Sequence, residues 1–443
     1  TAAYSMMYST KKSVSHQRKE HNPMYSYSLL LLLALLLLNN CERVIAVNTI
    51  YVSSNSGSDL NDGSSEKSPV ETLRKASDLA SDSKDDIIVL LERNNTWIEE
   101  SIDVVSSGGS ITISAYGDDT LPRPLIQHGR HVFQNSVCVS ASLSNDTFLI
   151  SNLHLSGCSN GLILSPMAKS VPVNGVVEQN LFTDIKSPML KYTPPNPAWS
   201  EAIVLNPGTF QNLTIRNNVG ARLDVFFRSS AYVNKMNLDS NTVQFCQGNC
   251  IAIGVGEDIV LQNSVFLNDF GTRLFMYGVT DVIIGGLKDG KFLNNDFNAR
   301  GEYVGGPDGC AIDFETSASG TEIMGNTISK SYGGGIMLFG HDTTSQNISI
   351  SENVFDRAGC VQNRADSGGI AVMCPNKQIP SVEIHSNTFL LCDDDTPAIN
   401  SPSTWCSSAK RDNFNQLTFS FSTLRLIHIA RTTQVHFQSV PQN

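Results

Sequence analysis

Two carboxylates on either side of one aromatic residue are the clearest candidates for chemistry in this sequence. Asp313 and Glu315 flank Phe314 in the stretch AIDFE, although charged residues make up only 16% of the chain. Alternate residues of a β-strand point to the same face of a sheet, so a strand here directs both carboxylates to one side. Paired carboxyl groups act as general acids, bases and nucleophiles. The segment is therefore the first candidate for an active site, although an outward strand position also tolerates carboxylates that have no function.

The composition of the chain predicts an all-β protein. Its 443 residues include 32 glycines together with many Asn, Ser and Thr residues, while Lys and Glu are scarce. That balance disfavours long surface helices and favours short strands joined by tight turns. The formal net charge of −11 disfavours nucleic acid as a partner, because phosphates require a basic face.

Residues 1–46 are typical of a leader with a signal peptide. The ten-residue apolar run Leu29–Leu38 follows a basic segment and precedes the small residues Val44 and Ala46. Ten residues are too few to span a bilayer as a helix, whereas this order favours a signal peptide cleaved after Ala46. Acylation of Cys41 is less compatible, because Asn40 stands where a small residue is needed. The sequence therefore predicts a secreted, extracellular protein with no membrane span.

Cysteines and glycosylation sequons agree with an extracellular route. Of the ten cysteines, Cys41 precedes the predicted cleavage. The cysteines after it predict disulfides in a secreted protein, and their odd number leaves at least one cysteine without a partner in the chain. Sequons occur at Asn94, Asn145, Asn212 and Asn347.

A repeated pattern organises the rest of the chain. Alternating apolar residues, an Asn and a further apolar residue recur in segments such as VVEQNLF, TEIMGNTI and VEIHSNTF, and a second short strand such as NGLILS or GIMLFG follows each copy. The irregular spacing favours a solenoid with insertions over a propeller. An Asn at the same bend of each turn can bond to the turns above and below. The Asn positions of the pattern are Asn152, Asn180, Asn217, Asn241, Asn263, Asn295, Asn326, Asn353 and Asn387.

The repeat, together with the segment YVSSNSGSDLNDGSSEKSPVETLRKASDLA at residues 51–80, resembles the right-handed parallel β-helix of the pectin-lyase-like superfamily. The resemblance implies an all-β solenoid of about ten coils over residues 85–410. We expect residues 47–84 to form a strand and an amphipathic helix that caps the open end of the solenoid. We expect residues 411–443, where the pattern disappears, to be a C-terminal cap or tail. The apolar face of the predicted helix consists of Leu73, Ala76, Leu79 and Ala80.

Alignment of the second strands by their core residues predicts two outward columns of side chains. The first column reads Ile163, Val204, Phe226, Ala252, Phe275, Asp313, Met337 and Ala371. The second column reads Ser165, Asn206, Arg228, Gly254, Tyr277, Glu315, Phe339 and Met373. Stacked neighbours lie only about 4.8 Å apart, so both carboxylates are expected between aromatic or thioether side chains. Loss of hydration in such surroundings favours the protonated form of a carboxyl group.

The predicted site combines acid–base groups with sugar contacts. The candidate catalytic residues are Asp313, Glu315 and His341, which closes the segment GIMLFGH. Asp308 ends a Gly-rich turn and is a candidate oxygen ligand of Ca²⁺ together with the two carboxylates. In the superfamily that the sequence resembles, polysaccharide generally binds to this outward face. Aromatic faces beside polar side chains suit a sugar ring, and the candidate substrate-binding residues are Asn206, Arg228, Tyr277 and Phe339.

The resemblance specifies the fold better than the activity. Pectin hydrolases of the superfamily carry neighbouring Asp pairs and a Gly-His-Gly element, but His341 lies in FGHD with no following Gly. The Ca²⁺ ligands and Arg base of pectate lyases have no residue-by-residue match either. The sequence therefore predicts a secreted carbohydrate-active protein that acts on a polysaccharide by lyase or hydrolase chemistry. The alternative is a noncatalytic extracellular protein for glycan binding, adhesion or matrix structure.

Overall fold

The structure is a computed structural model, and most of its described part consists of short parallel strands. It describes residues 47–81, 85–106, 108–129, 136–144, 147–186, 200–267, 280–298, 309–339, 347–360, 368–373, 382–390, 399–400 and 425–427. The predicted signal peptide and most of the predicted C-terminal cap or tail therefore lie outside the described residues.

A typical coil contributes one strand to each of three stacks, which follow one another along the chain. The first stack consists of β4 (Ile102–Val105), β7 (Val137–Leu143), β10 (Asn160–Pro166), β13 (Glu201–Leu205), β16 (Val225–Asp239), β18 (Ile251–Gln262), β20 (Val282–Lys288), β23 (Ile312–Ser319), β26 (Ile336–Phe339), β29 (Ile370–Met373) and β32 (Ile399–Asn400).

The second stack consists of β1 (Val47–Val52), β2 (Asp86–Glu92), β5 (Ile111–Tyr116), β8 (Thr147–Ser151), β11 (Val173–Glu178), β14 (Thr209–Arg216), the C-terminal parts of β16 and β18, β21 (Lys291–Leu293), β24 (Glu322–Met324), β27 (Ile348–Ser351) and β30 (Val382–His385). Because β16 and β18 run through both stacks, the first and second stacks form one 21-stranded sheet.

The third stack is a separate 12-stranded sheet. It consists of β3 (Thr96–Ile98), β6 (Leu125–Gln127), β9 (His154–Ser156), β12 (Leu181–Thr183), β15 (Val219–Leu223), β17 (Thr242–Cys246), β19 (Val265–Leu267), β22 (Asp296–Asn298), β25 (Thr327–Ser329), β28 (Val354–Asp356), β31 (Thr388–Leu390) and β33 (Arg425–Ile427). Its strand count is close to the predicted number of coils, and the prediction of a parallel β-helix is confirmed.

Alternation along the strands places apolar side chains in one continuous core between the stacks. In β2, for example, Ile87, Val89 and Leu91 are fully buried while the residues between them are partly exposed. Equivalent residues of successive coils stack on one another, so Phe266 lies on Phe297 with ring centroids 5.0 Å apart. Because each coil buries its apolar face only against its neighbours, the core extends along the whole described solenoid.

The N-terminal end carries the expected amphipathic helix, α1 (Leu73–Ser81). Leu73, Ala76 and Ala80 are buried, which confirms the predicted apolar face, while Leu79 packs against the core from a partly buried position. The Glu100 carboxylate accepts a hydrogen bond from the backbone N–H of Leu73 at 2.8 Å and so satisfies one free donor of the first helical turn. Burial raises the pKa of the Glu100 carboxyl despite this bond. No helix among the described residues is long and apolar enough to cross a membrane.

A column of buried amides joins the coils where the second stack turns into the third. Asn326 shows the pattern: its Nδ2 donates to the Phe292 carbonyl at 2.8 Å and to Asn353 Oδ1 at 2.9 Å. Its Oδ1 accepts bonds from the backbone N–H and the Nδ2 of Asn295, both at 2.9 Å. Each amide thus satisfies backbone groups that the buried bend leaves without a partner. The amide column consists of Asn180, Asn218, Asn241, Asn295, Asn326, Asn353 and Asn387.

The structure corrects three members of the Asn pattern. Asn152, Asn217 and Asn263 precede the column and have φ angles of 59°, 53° and 51°. The first residue of this bend adopts the left-handed conformation, which Asn tolerates better than most residues. The neighbours that occupy the column positions are Leu153, Asn218 and Ser264.

The cysteines of the described chain include one complete disulfide, Cys138–Cys158, whose Cα atoms lie 5.9 Å apart. It joins β7 to the bend before β10, two neighbouring coils of the first stack. Cys246, Cys250 and Cys310 are buried.

Removal of one amide should destabilise the whole solenoid. We expect Asn326→Ala to lower the free energy of unfolding by about 2–4 kcal/mol, because it leaves buried backbone and amide groups without partners. Urea denaturation followed by circular dichroism measures the change. Asn298→Ala, at a partly exposed position of β22 in the neighbouring coil, is the control, and equal destabilisation by the two variants would contradict the role of the column.

Ser264 interrupts the amide column, and a substitution here should increase stability rather than decrease it. Its Oγ accepts from the Asn241 N–H at 3.2 Å, and its N–H donates to Asn295 Oδ1 at 3.0 Å. Ser264→Asn would add the missing amide donor and continue the column. We expect it to raise the free energy of unfolding by about 1 kcal/mol, and destabilisation would show that the bend at this coil has no room for the amide.

Candidate functional site

The two carboxylates lie on one strand and face the same way, as predicted. In β23 the side chains of Ile312 and Phe314 are buried in the core, and Phe314 packs edge to face on Phe292 with ring centroids 5.5 Å apart. Asp313 and Glu315 alternate with them and therefore point outward. Their surroundings differ, because Asp313 has no exposed surface while Glu315 is partly exposed.

The outward column that contains Asp313 differs from the predicted one at two positions. Its members in register are Ile163, Val204, Arg228, Ala252, Ile283, Asp313, Met337 and Ala371. Arg228 and Ile283 stand where Phe226 and Phe275 were expected. Val225, Phe226 and Phe227 are all buried, so hydrophobicity alone did not show which residue stacks in the core. The strand between β18 and β23 is β20, and Phe275 lies outside the described residues.

The sequence alignment therefore assigned Arg228 to the wrong column, that of Glu315. Arg228 belongs to the column of Asp313 and lies three coils away, with Ala252 and Ile283 between them. At one strand spacing per coil, the separation of their Cα atoms is about 14 Å. The two residues do not meet directly.

The other predicted site residues have the following places. The Asn206 amide donates to Ser165 Oγ at 2.8 Å, so the two residues stack in the second column as expected, four coils from Glu315. The backbone of Phe339 pairs with Met373 in the next coil, while its side chain lies outside the described part. His341, Tyr277 and Asp308 also lie outside it. The catalytic, substrate-binding and Ca²⁺ roles stay predictions.

Arg228 instead forms an ion pair that the sequence reading missed. Its Nη2 donates to Glu201 Oε2 at 2.9 Å, and its Nε contacts the other carboxylate oxygen. Its Nη1 donates to Ser230 Oγ at 3.1 Å. Glu201 is 4% exposed, and burial raises the pKa of its carboxyl although the Arg228 guanidinium acts in the opposite direction. Nothing in the sequence around Glu201 indicates this pair, because its partner belongs to the next coil.

Asp281 is a buried carboxylate near β23 that the sequence analysis missed. It precedes β20, is 3% exposed, and its Oδ1 lies 3.7 Å from Cys250 Sγ. The register pairs Val282 with Ile312, so Asp281 lies one coil before Asp313 and two residues earlier along the strand direction. One strand spacing and two residue rises give a Cα separation of about 8 Å. The carboxyl groups around β23 thus differ in burial, since Asp281 and Asp313 are buried and Glu315 is partly exposed.

One group of metal-type side chains occurs among the described residues, away from β23. His128, Cys138 and Cys158 have ligand atoms within 4.8 Å of one another. Because both cysteines are in a disulfide, neither offers the thiolate that metal binding requires. These residues do not form a metal centre.

The comparisons with known proteins agree with the coil geometry. A family model described as "Right handed beta helix region" matches residues 225–405. The protein is a right-handed parallel β-helix. The crystal structure of GH136 lacto-N-biosidase from Eubacterium ramulus is similar to the chain with a TM-score of 0.57 and 15% identity, over 86% of this chain and 68% of that chain. A selenomethionine derivative of that enzyme gives a TM-score of 0.55 at 13% identity, over 92% and 72% of the two chains.

One curated relative is similar in sequence over a short stretch of the β-helix protein. Lacto-N-biosidase from Bifidobacterium longum subsp. longum is 40% identical over 82 residues, which is 18% of this chain. The match spans 5% of the length of that relative.

The pH dependence of stability should report the buried Glu201. Its ordinary pKa is 4.5 and folding raises it, so its contribution to stability is present below pH 4.5 and is lost as the pH rises through the folded-state pKa. We expect the stability of the wild type relative to Glu201→Gln to fall over that interval. Urea denaturation at a series of pH values measures the difference. Glu178→Gln, which removes the exposed partner of Arg216, is the control, and a pH-independent difference for Glu201→Gln would contradict the prediction.

Proposed function

We propose that the protein is a secreted carbohydrate-active enzyme that hydrolyses glycosidic bonds on the outward face of the first stack. Asp313 and Glu315 are its proposed pair of catalytic carboxyl groups. A polysaccharide or a shorter glycan is its proposed substrate. Hydrolysis is preferred over lyase chemistry because the described site offers two carboxyl groups on one strand, the pair of groups that glycosidases use.

The observation that carries this proposal is the spacing of the two carboxylates on β23. Two residues along a strand separate their Cα atoms by about 7 Å, with both side chains on one face. Glycosidases hold two carboxyl groups about 5–5.5 Å apart when they retain anomeric configuration and about 6.5–9.5 Å apart when they invert it. The anomer released first shows which of these two separations the carboxyl groups adopt during the reaction.

Burial supports distinct roles for the two groups. Asp313 has no exposed surface while Glu315 is partly exposed, and we assign the role of proton donor to the more buried group. In the proposed reaction Asp313 donates its proton to the glycosidic oxygen as the bond to the anomeric carbon breaks. Glu315, as the carboxylate, takes a proton from the water whose oxygen bonds to the anomeric carbon. Each group exchanges one proton, so the reaction balances as hydrolysis.

The similar proteins support the choice of glycans as first substrates. The 82-residue match and the crystal structure both belong to proteins named lacto-N-biosidase. Glycans that end in lacto-N-biose are therefore the first compounds to try. The leader sequence and the disulfide between Cys138 and Cys158 support the proposed secretion, because disulfides persist in oxidising compartments.

Neutralisation of either carboxyl group should abolish most of the activity. We expect Asp313→Asn and Glu315→Gln each to lower kcat by at least about 100-fold, the usual contribution of a positioned acid or base. Mass spectrometry of incubated glycans, with nuclear magnetic resonance to identify the first anomer released, measures rate and stereochemistry. Glu322→Gln, on β24 of the same coil, is the matched control, and circular dichroism verifies folding.

Each alternative gives a different result. Full activity in both variants would refute the assignment of the carboxylates. An unsaturated product would show a lyase. Binding without any product, in wild type and variants alike, would identify the noncatalytic glycan-binding protein.

A further inference from the structure

The outward surface beside Glu315 lacks side chains over the two preceding coils. Glu315 and Thr316 lie opposite Gly285 in the neighbouring strand, and Gly285 lies beside Gly254 in the strand before that. The Thr316 hydroxyl contacts the Gly285 carbonyl, which closes one side of this strip. Gly286, the next residue of β20, extends this surface without side chains toward the second stack. We name the surface of Gly254, Gly285 and Gly286 the glycine trough.

An exposed aromatic residue lies at the end of the trough opposite Glu315. Tyr232 is 40% exposed and lies beside Val255, which is 54% exposed, and Val255 lies beside Gly286. The Tyr232 hydroxyl donates to Glu257 Oε2 at 2.9 Å, so the edge of the ring is held in place. Three coils and two residues along the strand direction separate Tyr232 from Glu315, or about 16 Å between their Cα atoms. That distance suits a short oligosaccharide.

The fold requires only part of the glycine content of this surface. A Cβ at Gly285 would lie 2.4 Å from the Gly254 carbonyl oxygen, which no packed structure allows. Among the described residues, a Cβ at Gly254 would meet only the Ser229 carbonyl oxygen, at the ordinary contact distance of 3.5 Å. Glycine in a strand costs about 0.5–1 kcal/mol relative to alanine, and such a position often marks the close approach of a ligand. Gly254 therefore leaves open a surface that the fold itself does not need open.

The charges around the trough disfavour an anionic ligand. Arg228 is already paired with Glu201, and Lys288 contacts Glu257. The Glu315 carboxylate adds negative charge at the far end, so among the described residues around the trough acidic groups outnumber basic ones. An oligouronate would meet repulsion here, whereas hydroxyl groups find both donors and acceptors.

We propose that the glycine trough binds an uncharged oligosaccharide that extends from the ring of Tyr232 to the carboxylate of Glu315. The apolar C–H face of one sugar residue packs on the Tyr232 ring, and the following residues lie on the bare backbone of Gly254 and Gly285. This inference rests on the proposed function, since it names the ligand class and the binding surface of that same site.

Binding measured without turnover tests the trough directly. In a Glu315→Gln background, calorimetry would follow the binding of lacto-N-tetraose and cellotetraose as neutral probes and of tetramannuronate as the acidic probe. We expect a neutral probe to bind more tightly than the acidic one. Gly254→Leu, which fills the trough from a position with room for a side chain, and Tyr232→Ala should each weaken neutral binding by at least about tenfold, which is about 1.4 kcal/mol.

Two controls separate the ring and the trough from general effects. Tyr232→Phe keeps the stacking face and loses only the bond to Glu257, so its affinity should stay within about twofold, a difference of only a few tenths of a kcal/mol. Phe245→Ala removes another exposed aromatic ring, 38% exposed and on the third stack, and should leave binding unchanged. Circular dichroism and unfolding midpoints of all four variants confirm the fold.

Failure of this inference is distinguishable from failure of the proposed function. Unchanged neutral affinity in Gly254→Leu and Tyr232→Ala, tighter binding of tetramannuronate, or no binding of either neutral probe would each overturn the trough as proposed. Turnover that depends on Asp313 and Glu315 would remain intact in those cases. Conversely, the wild type could bind a neutral probe without converting it, and the trough variants could lose that binding. This result would support the trough and refute the proposed enzymatic activity.

Discussion

Buried amide hydrogen bonds at one bend of all but one of the coils from Asn180 to Asn387 are the constraint on which the rest of this structure depends. A polypeptide that turns inside an apolar core must satisfy its backbone donors and acceptors, since each one left without a partner costs about 1–3 kcal/mol. The Asn column does this from coil to coil, with Asn353 bonded to Asn387 above and Asn326 below. It thereby fixes both the place of the turn and the spacing of the coils. Strand register in the first stack follows from that spacing.

A fixed spacing makes the outer surface an ordered array of positions. Alternation along β23 sets the distance between Asp313 and Glu315, and the coil repeat sets the distances to Tyr232 and Arg228. Rigid strands therefore position the candidate groups, and loops have only to complete the site. This division explains how one solenoid can accommodate different activities on the same face.

The architecture was predictable from the sequence because each copy of the repeat corresponds to one coil of the solenoid. The helix cap, the parallel coils and the inward and outward sides of β23 all follow from apolar alternation and the Asn bends. Errors arose where two residues of the same type compete, as at Asn217 and Asn218, because only the hydrogen bonds show which amide is buried. Consecutive apolar residues in β16 hid the register of Arg228 in the same way.

The candidate site was less predictable than the fold because its contacts connect coils. Glu201 and Asp281 carry no local signal, and their importance appears only when residues 27 to 31 positions apart are placed side by side. The sequence alignment used the segment around Phe275 as the strand between β18 and β23, where the structure has β20. The glycines of β20 that belong to the glycine trough were therefore not recognised. Spacing along one strand was readable from sequence, whereas adjacency between strands required the structure.

The helix α1 also limits how the molecule can grow. A solenoid of parallel strands ends in a row of open backbone donors and acceptors that can template the strands of another chain. At the N-terminal end α1 lies against β1, β2 and β4, and the indole N–H of Trp97 donates to the Glu71 carbonyl just before the helix at 2.9 Å. The helix offers no free strand edge for a further coil. Pairing of a further coil on β4 is therefore opposed by the same element that closes the core, because the Asp103 N–H of β4 already donates to Ser77 Oγ of the helix at 3.0 Å.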